Sequence, residues 1–180
     1  MSVPGSYKPV AKALHWATAL FVLLTIPAAL IMLTPGIERQ VQDPLFLFHK
    51  NIGVVIFVLV AIRLAYRLVN PPPPLPDSVP SWQRHVAEAT HWLLYGLLLA
   101  MAISGYIRVT AGGFPLEVFD QIGLPRPVPR SDSLAETAKT IHARLRFPLM
   151  ALIALHIAAA LYHAFIKRDG VVRRMMPGAR

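Results

Sequence analysis

Four apolar stretches, each long enough to cross a bilayer, alternate along the chain with polar breaks. A bilayer core needs about 20 apolar residues of helix. The first stretch covers 13–34, behind Lys8 and Lys12, and ends at the breaker pair Pro35-Gly36. Pro27 is placed to kink it. The second covers 45–69, opens behind Asp43-Pro44 and carries Arg63 and Arg67 in its last turns. NPPPPLPDSVPSWQR follows, too rich in proline for helix and suited to a stiff connector. The third stretch covers 85–107. Residues 108–138 then form a long Gly- and Pro-rich loop, in which GGFPLEVF is a candidate for a small interfacial element. The fourth covers 139–167; its helix is expected to start earlier, behind Ser131 or Ser133 as cap, with Glu136 in the first turn. The tail KRDGVVRRMMPGAR is basic. The pattern predicts an all-α fold: an integral membrane four-helix bundle, up-down, in a single domain over 1–180.

Composition agrees with lipid as the solvent. Of 180 residues, 55% are hydrophobic and only 15% are charged, with a mean hydropathy of +0.51; a soluble domain of this size is less apolar. The absence of cysteine excludes disulfides, iron–sulfur clusters and c-type haem attachment. A net charge of +9 on a soluble domain would point to nucleic acid. Here it reads as charge flanking the spans, so lipid, and not nucleic acid, is the expected partner. Four spans put both termini on one side, and the dense basic tail favours the cytoplasm for that side. The loop 108–138 is then periplasmic, on a side that stays unusually basic. The first apolar run lacks a small-residue cleavage site and is long enough to span, so it reads as a retained helix.

The candidate chemistry lies in seven histidines: His15, His49, His85, His91, His142, His156 and His163. Ionisable groups within spans are costly and usually functional. His142, His156 and His163 lie at intervals of 14 and 7 residues, roughly on one stripe of the last helix. Antiparallel packing puts His49 and His142 at one level, near the side away from the termini. His15 shares the other level with His156 or His163, and depth leaves that choice open. Two imidazoles facing each other from different helices are the usual axial pair of a b-type haem. Zinc or copper would want three or four clustered ligands. Gly53, four residues from His49, leaves room either for a flat macrocycle or for close helix packing; Gly96 and Gly105 permit the same two readings. Arg63, 14 residues beyond His49, reaches the level of His15. A buried guanidinium needs an anion, and a haem propionate fits. Arg67 is placed to snorkel. His91 is a rival ligand, a propionate partner or a packing residue; His85 lies at the membrane edge.

An ordered set of segments resembles the bacterial cytochrome b561 family of four-helix, di-haem membrane proteins. The segments are ALHW, FHKNIG with RLAYRL, THWLLYGLLLAMAISGY, TIHARL, ALHIAAALYH and RRMMP. They span nearly the whole chain, and it is their order that is specific. The resemblance implies two haems b in a bacterial inner membrane, with axial iron ligands His49 and His142 for one and His15 and His156 for the other. It also implies exchange of electrons with ubiquinone. His163, with Trp16 beside the same level, is then the candidate for the quinone site.

One activity in that family is oxidation of superoxide with electrons passed to ubiquinone. Superoxide is a small anion, and Lys50 and Arg144 flank the His49–His142 level. A positive funnel raises the encounter rate of such an anion. The acidic residues of the same side, Glu38, Asp43, Glu117, Asp120, Asp132 and Glu136, oppose that field, and the cations have propionates as an alternative partner. The resemblance thus implies a superoxide:ubiquinone oxidoreductase. A second reading is a cytochrome b subunit that docks a periplasmic redox protein on 108–138 and exchanges electrons with the quinone pool. A third is a haem-free structural or transport bundle.

Overall fold

The protein is described by a computed structural model over residues 5–76, 78–123 and 126–178. The remaining residues of the expected 1–180 domain, Arg180 of the basic tail among them, lie outside the described residues. In hydrocarbon every backbone polar group must be paired within the segment, and the helix is the local way to do it. The chain forms α1 (Pro9–Met32), α2 (Arg39–Val69), α3 (Ser81–Ala111), the short α4 (Glu117–Gln121) and α5 (Asp132–Leu161). A π-helical turn, Tyr162–Lys167, extends α5, and a 3-10 turn follows at Arg173–Met175. No strand occurs among the described residues. Four of the helices, α5 counted with its extension, are long and apolar enough to cross a membrane.

The helix ends follow local chemistry. Pro9 starts α1 at a position whose N–H would be unpaired anyway. The Ser131 hydroxyl caps α5 by accepting from the Leu134 N–H at 3.3 Å. The proline run from Pro71 ends α2, and Gly113, at φ 74°, turns the chain out of α3. Helices α2 and α3 begin before their expected stretches, at Arg39 and Ser81, in polar turns that hydropathy does not mark, whereas α5 begins at Asp132 behind the Ser131 cap, one of the two expected. The connection between α3 and α5 is therefore 112–131, shorter than the expected 108–138, and it contains α4, which starts within the GGFPLEVF segment.

α1 packs on α2, α2 on α3, and α3 on α5. No comparably extensive packing joins α5 to α1 or α2. The bundle therefore has a cleft between α5 and the α1–α2 pair. A small apolar core of Val22, Ile56, Val60 and Tyr95, with Ile153 of α5 packed on it, closes the cleft at mid-depth. Outside, large apolar residues such as Leu23, Leu30, Leu93, Phe147 and Leu155 stay exposed. Such a surface would make a soluble protein aggregate, but it suits a lipid-facing one.

Both described ends meet on one face. Buried Arg174 donates from Nε to the Gly5 carbonyl at 2.7 Å and from Nη2 to those of Pro74 and Pro73 at 2.8 and 3.2 Å. Its own carbonyl accepts from the Tyr7 N–H and the Ser6 hydroxyl, both at 3.2 Å. One cation thus ties the N-terminal segment, the proline connector and the C-terminal tail together. The proline carbonyls it uses have no ladder or helix to serve.

Candidate functional site

At the level away from the termini, His49 of α2 faces His142 of α5 across the cleft. Their ring centroids lie 6.1 Å apart with planes at 88°. A metal held between two ring nitrogens at about 2 Å from each needs centroids roughly 6 Å apart. Three residues of α3 set the His142 ring. Its Nδ1 lies 2.9 Å from the Met101 carbonyl and 3.3 Å from Ser104 Oγ, both on α3. A carbonyl only accepts, so Nδ1 carries the hydrogen and Nε2 keeps its lone pair for a ligand. Gly105 makes the approach possible: a Cβ there would stand 3.0 Å from the ring's Cε1. His49 Nδ1 is buried without a hydrogen bond of normal geometry, although the Thr25 backbone comes near.

A cavity of about 620 Å³ opens between these two rings. Gly53 lines it, and a Cβ on Gly53 would meet nothing within 4 Å, so the gap expected beside His49 is present. Arg108 and Arg146 also line it, at its polar end, with Lys50, Asp43 and Glu117. The sequence reading had not singled out Arg108. It lies in the last turn of α3, and a position near a loop gives no sign that it turns back over a cavity.

Lys50 does not stand alone. Its ammonium donates to Glu117 Oε1 at 2.6 Å and to the Pro115 carbonyl at 2.9 Å. The neighbouring Asn51 donates to Glu117 Oε2 at 2.9 Å and accepts from the Val118 N–H at 3.1 Å. These bonds fasten α4 to α2. Burial opposes ionisation of the Glu117 carboxyl, but the hydrogen bonds of Lys50 and Asn51 outweigh it and hold the group below the usual carboxylate range. Asp120 is paired with Arg126, whose hydrogen bonds lower its carboxyl likewise. Arg144 lies exposed on α5, outside the cavity lining.

At the terminal level, His156 of α5 stands between His15 of α1, at 6.3 Å and 72°, and His91 of α3, at 5.7 Å and 71°. His15 Nδ1 is buried without a hydrogen-bond partner. Arg63 is near all three histidines and lies over the Tyr95 ring at 5.3 Å. Arg67, expected to snorkel, instead lies over Trp92 at 5.4 Å and Tyr95 at 5.9 Å. His163 is not part of this group. Its Nδ1 pairs with Asp169 Oδ2 at 2.5 Å, and it lines a separate cavity of about 370 Å³ with Arg168 and Arg173. Trp16 packs edge-on against His15 at 5.3 Å and donates from Nε1 to the Met175 carbonyl at 2.9 Å. It ties the inner level to the tail, beside that cavity and not in its lining.

The donor set fits a haem at the His49–His142 level, which offers two facing imidazoles at a separation that suits one metal, a cavity between helices, and two arginines for propionates. The terminal level offers His156 with His15 on one side and His91 on the other, and Arg63 near all three. Among the described residues no three His, Asp or Glu side chains converge as the ligands of a bare ion would. Comparison with known proteins gives the family. A family model described as prokaryotic cytochrome b561 matches residues 6–178. The chain is 33% identical over 176 residues to "Cytochrome b561 homolog 2" of Escherichia coli (strain K12), covering 97% of this chain and 93% of that one. It is 31% identical over 167 residues to "Cytochrome b561 homolog 1" of the same organism, covering 91% and 93%. It is 29% identical over 174 residues to "Probable superoxide oxidase CybB" of Yersinia pestis, covering 97% of each chain.

Proposed function

Since this chain belongs to the prokaryotic cytochrome b561 family, whose members bind haem b and transfer electrons in the bacterial inner membrane, we propose that it carries two haems and oxidises superoxide with ubiquinone as acceptor. The observation that carries the di-haem reading is that imidazoles face each other at two levels, His49–His142 at 6.1 Å and His156 with His15 at 6.3 Å and His91 at 5.7 Å; the family resemblance favours His15 as the partner of His156. Haem supplies one-electron chemistry when bound; the protein supplies its place and surroundings. His142 is set by Met101 and Gly105. Arg108 and Arg146 are the candidates for propionates at the outer level, and Arg63 at the inner. The ligand levels are 14 residues of α5 apart, roughly 21 Å along the helix. The apolar core at Val22, Ile56 and Val60 lies between them.

The superoxide reading takes support from the relative named a probable superoxide oxidase and from the cations around the outer cavity. In this reading the face away from the termini is periplasmic. Superoxide is drawn toward Lys50 and Arg144, gives up one electron and leaves as dioxygen. Two such electrons with two cytoplasmic protons turn one ubiquinone into its quinol near His163 and Trp16. Lys50 holds Glu117 as well, so its field is partly cancelled, while Arg144, Arg108 and Arg146 have no acidic partner among the described residues. A reduced-minus-oxidised spectrum with haem quantification tests the premise. Two haems per chain are expected, falling to one in His49→Ala and in His142→Ala. Superoxide should then reduce the haem of the purified protein in the presence of quinone. Haem reduction only by a co-purifying stoichiometric redox protein would instead support the cytochrome-subunit reading.

A further inference from the structure

Asp169 is the one carboxylate in the basic tail, and the backbone is shaped to aim it. The last turn of α5 widens into the π-helical turn 162–167, a local form frequent at functional sites. Arg168 then takes a left-handed conformation, φ 51°, and Gly170 another, φ 79°. A non-glycine residue there is costly and persists only where the surroundings impose it. The reversal brings Asp169 back on His163, six residues earlier. Both side chains are largely buried, at 18% exposure for His163 and 13% for Asp169. Each carboxylate oxygen is used: Oδ2 bonds His163 Nδ1 at 2.5 Å, and Oδ1 accepts from the Val171 N–H at 3.2 Å. His163 Nε2 is the ring nitrogen left over, on a residue that lines the 370 Å³ cavity with Ala164, Val172 and Met176.

We propose that Asp169 is the positioning residue of a proton-donating His163–Asp169 pair at the quinone cavity. The inference rests on the quinone reading given above. An imidazolium at this spot has Arg168 and Arg173 around the same cavity and the Tyr162 ring at 5.8 Å. Among these cations the Asp169 carboxylate is the anion that meets the ring. It also fixes the ring, so that Nε2–H points to one acceptor. When electrons arrive, the Nε2–H bond breaks and an O–H bond forms on the quinone carbonyl that His163 faces. The neutral imidazole recovers its proton from water on the terminal side. The opposite carbonyl takes the second proton from water, so two electrons and two protons give one quinol. Asp169 exchanges no proton with the quinone and acts through His163.

The test is stopped-flow reoxidation of the pre-reduced full-length holoprotein by a short-chain ubiquinone across pH. Asp169→Asn keeps the shape and removes the charge. It is expected to slow reoxidation roughly tenfold or more, with the KM for quinone little changed and the alkaline limb of the pH profile moved to lower pH. Asp169→Glu should restore most of the rate and return the limb. Haem content per chain reports folding; should Asp169→Asn lose haem, Asp169→Ser carries the same expectation. A wild-type rate and pH profile in the charge-removing variant overturns the inference. His163→Ala separates the two layers. If it is slow while Asp169→Asn is unaffected, only the role of Asp169 falls. If His163→Ala itself reoxidises at the wild-type rate and KM, the quinone does not use this histidine and both readings fall.

Discussion

Gly105 shows how much one missing methyl group decides. The His142 ring occupies the space a Cβ would need, at 3.0 Å from Cε1 and 3.2 Å from Nδ1. The Met101 carbonyl holds the ring there, so the ring cannot give way without losing that bond. Gly105→Ala is therefore expected to displace His142; if the proposed di-haem arrangement holds, it perturbs or empties the His49–His142 site while the other site keeps its absorbance, which haem quantification with difference spectra reads directly. Gly53→Ala lacks such a clash within the protein and should fold normally. A loss of outer haem in it would mean that the macrocycle reaches Gly53. The histidines themselves were legible from spacing and depth. Gly105 was legible as a place of close approach but not what approaches it, and nothing in their residue types marks the Met101 carbonyl or the Ser104 hydroxyl as partners of His142.

α4 and the terminal clamp carry the stability predictions at the level of elements. The α4 segment is only five residues, too short to be a stable helix alone. It stays because Glu117 and the Val118 N–H bind Lys50 and Asn51 of α2. The Glu117 carboxyl is held below its ordinary range, so the latch is fully present above that range. It is lost as pH falls through the lowered value. Glu117→Gln should loosen 114–122 at neutral pH as acid loosens the wild type, seen as faster amide hydrogen exchange there. The cost is about 1 kcal/mol or less, since the pair is partly exposed and screened. Arg174 is a different case. It is 3% exposed and donates to three backbone carbonyls. Arg174→Ala leaves those acceptors unpaired and should cost about 2–3 kcal/mol, read as a lower Tm with His49–His142 haem binding intact. Hydropathy located every long helix and the capping serine located the start of α5, but the polar first turns of α2 and α3 carry no such mark. It could not say that the prolines after α2 serve as acceptors for a cation about 100 residues away.

Across the whole molecule the two ligand levels, the cleft and the charged face act together. If cations at the outer face draw superoxide in, haem reduction should slow as ionic strength rises. Lys50→Gln and Arg144→Gln should each lower the rate at low salt and flatten its salt dependence. A rate that salt leaves unchanged would show that the field plays no part. Arg144→Gln is the cleaner probe, because Lys50→Gln also frees Glu117 and α4. By itself the sequence determined the four helices, their alternating direction and the two histidine levels. Those follow from hydrophobic runs and from a fixed rise per residue, both of which are local. The tertiary structure decided what the helices do to one another: that α5 stands off from α1 and α2 to leave a cleft, that Lys50 is tied to an acid, and that His156 has His91 as well as His15 beside it. It also gave His163 a carboxylate partner. These are matters of rotation about each helix axis and of where loops fold back, and neither is fixed by any stretch of sequence taken alone.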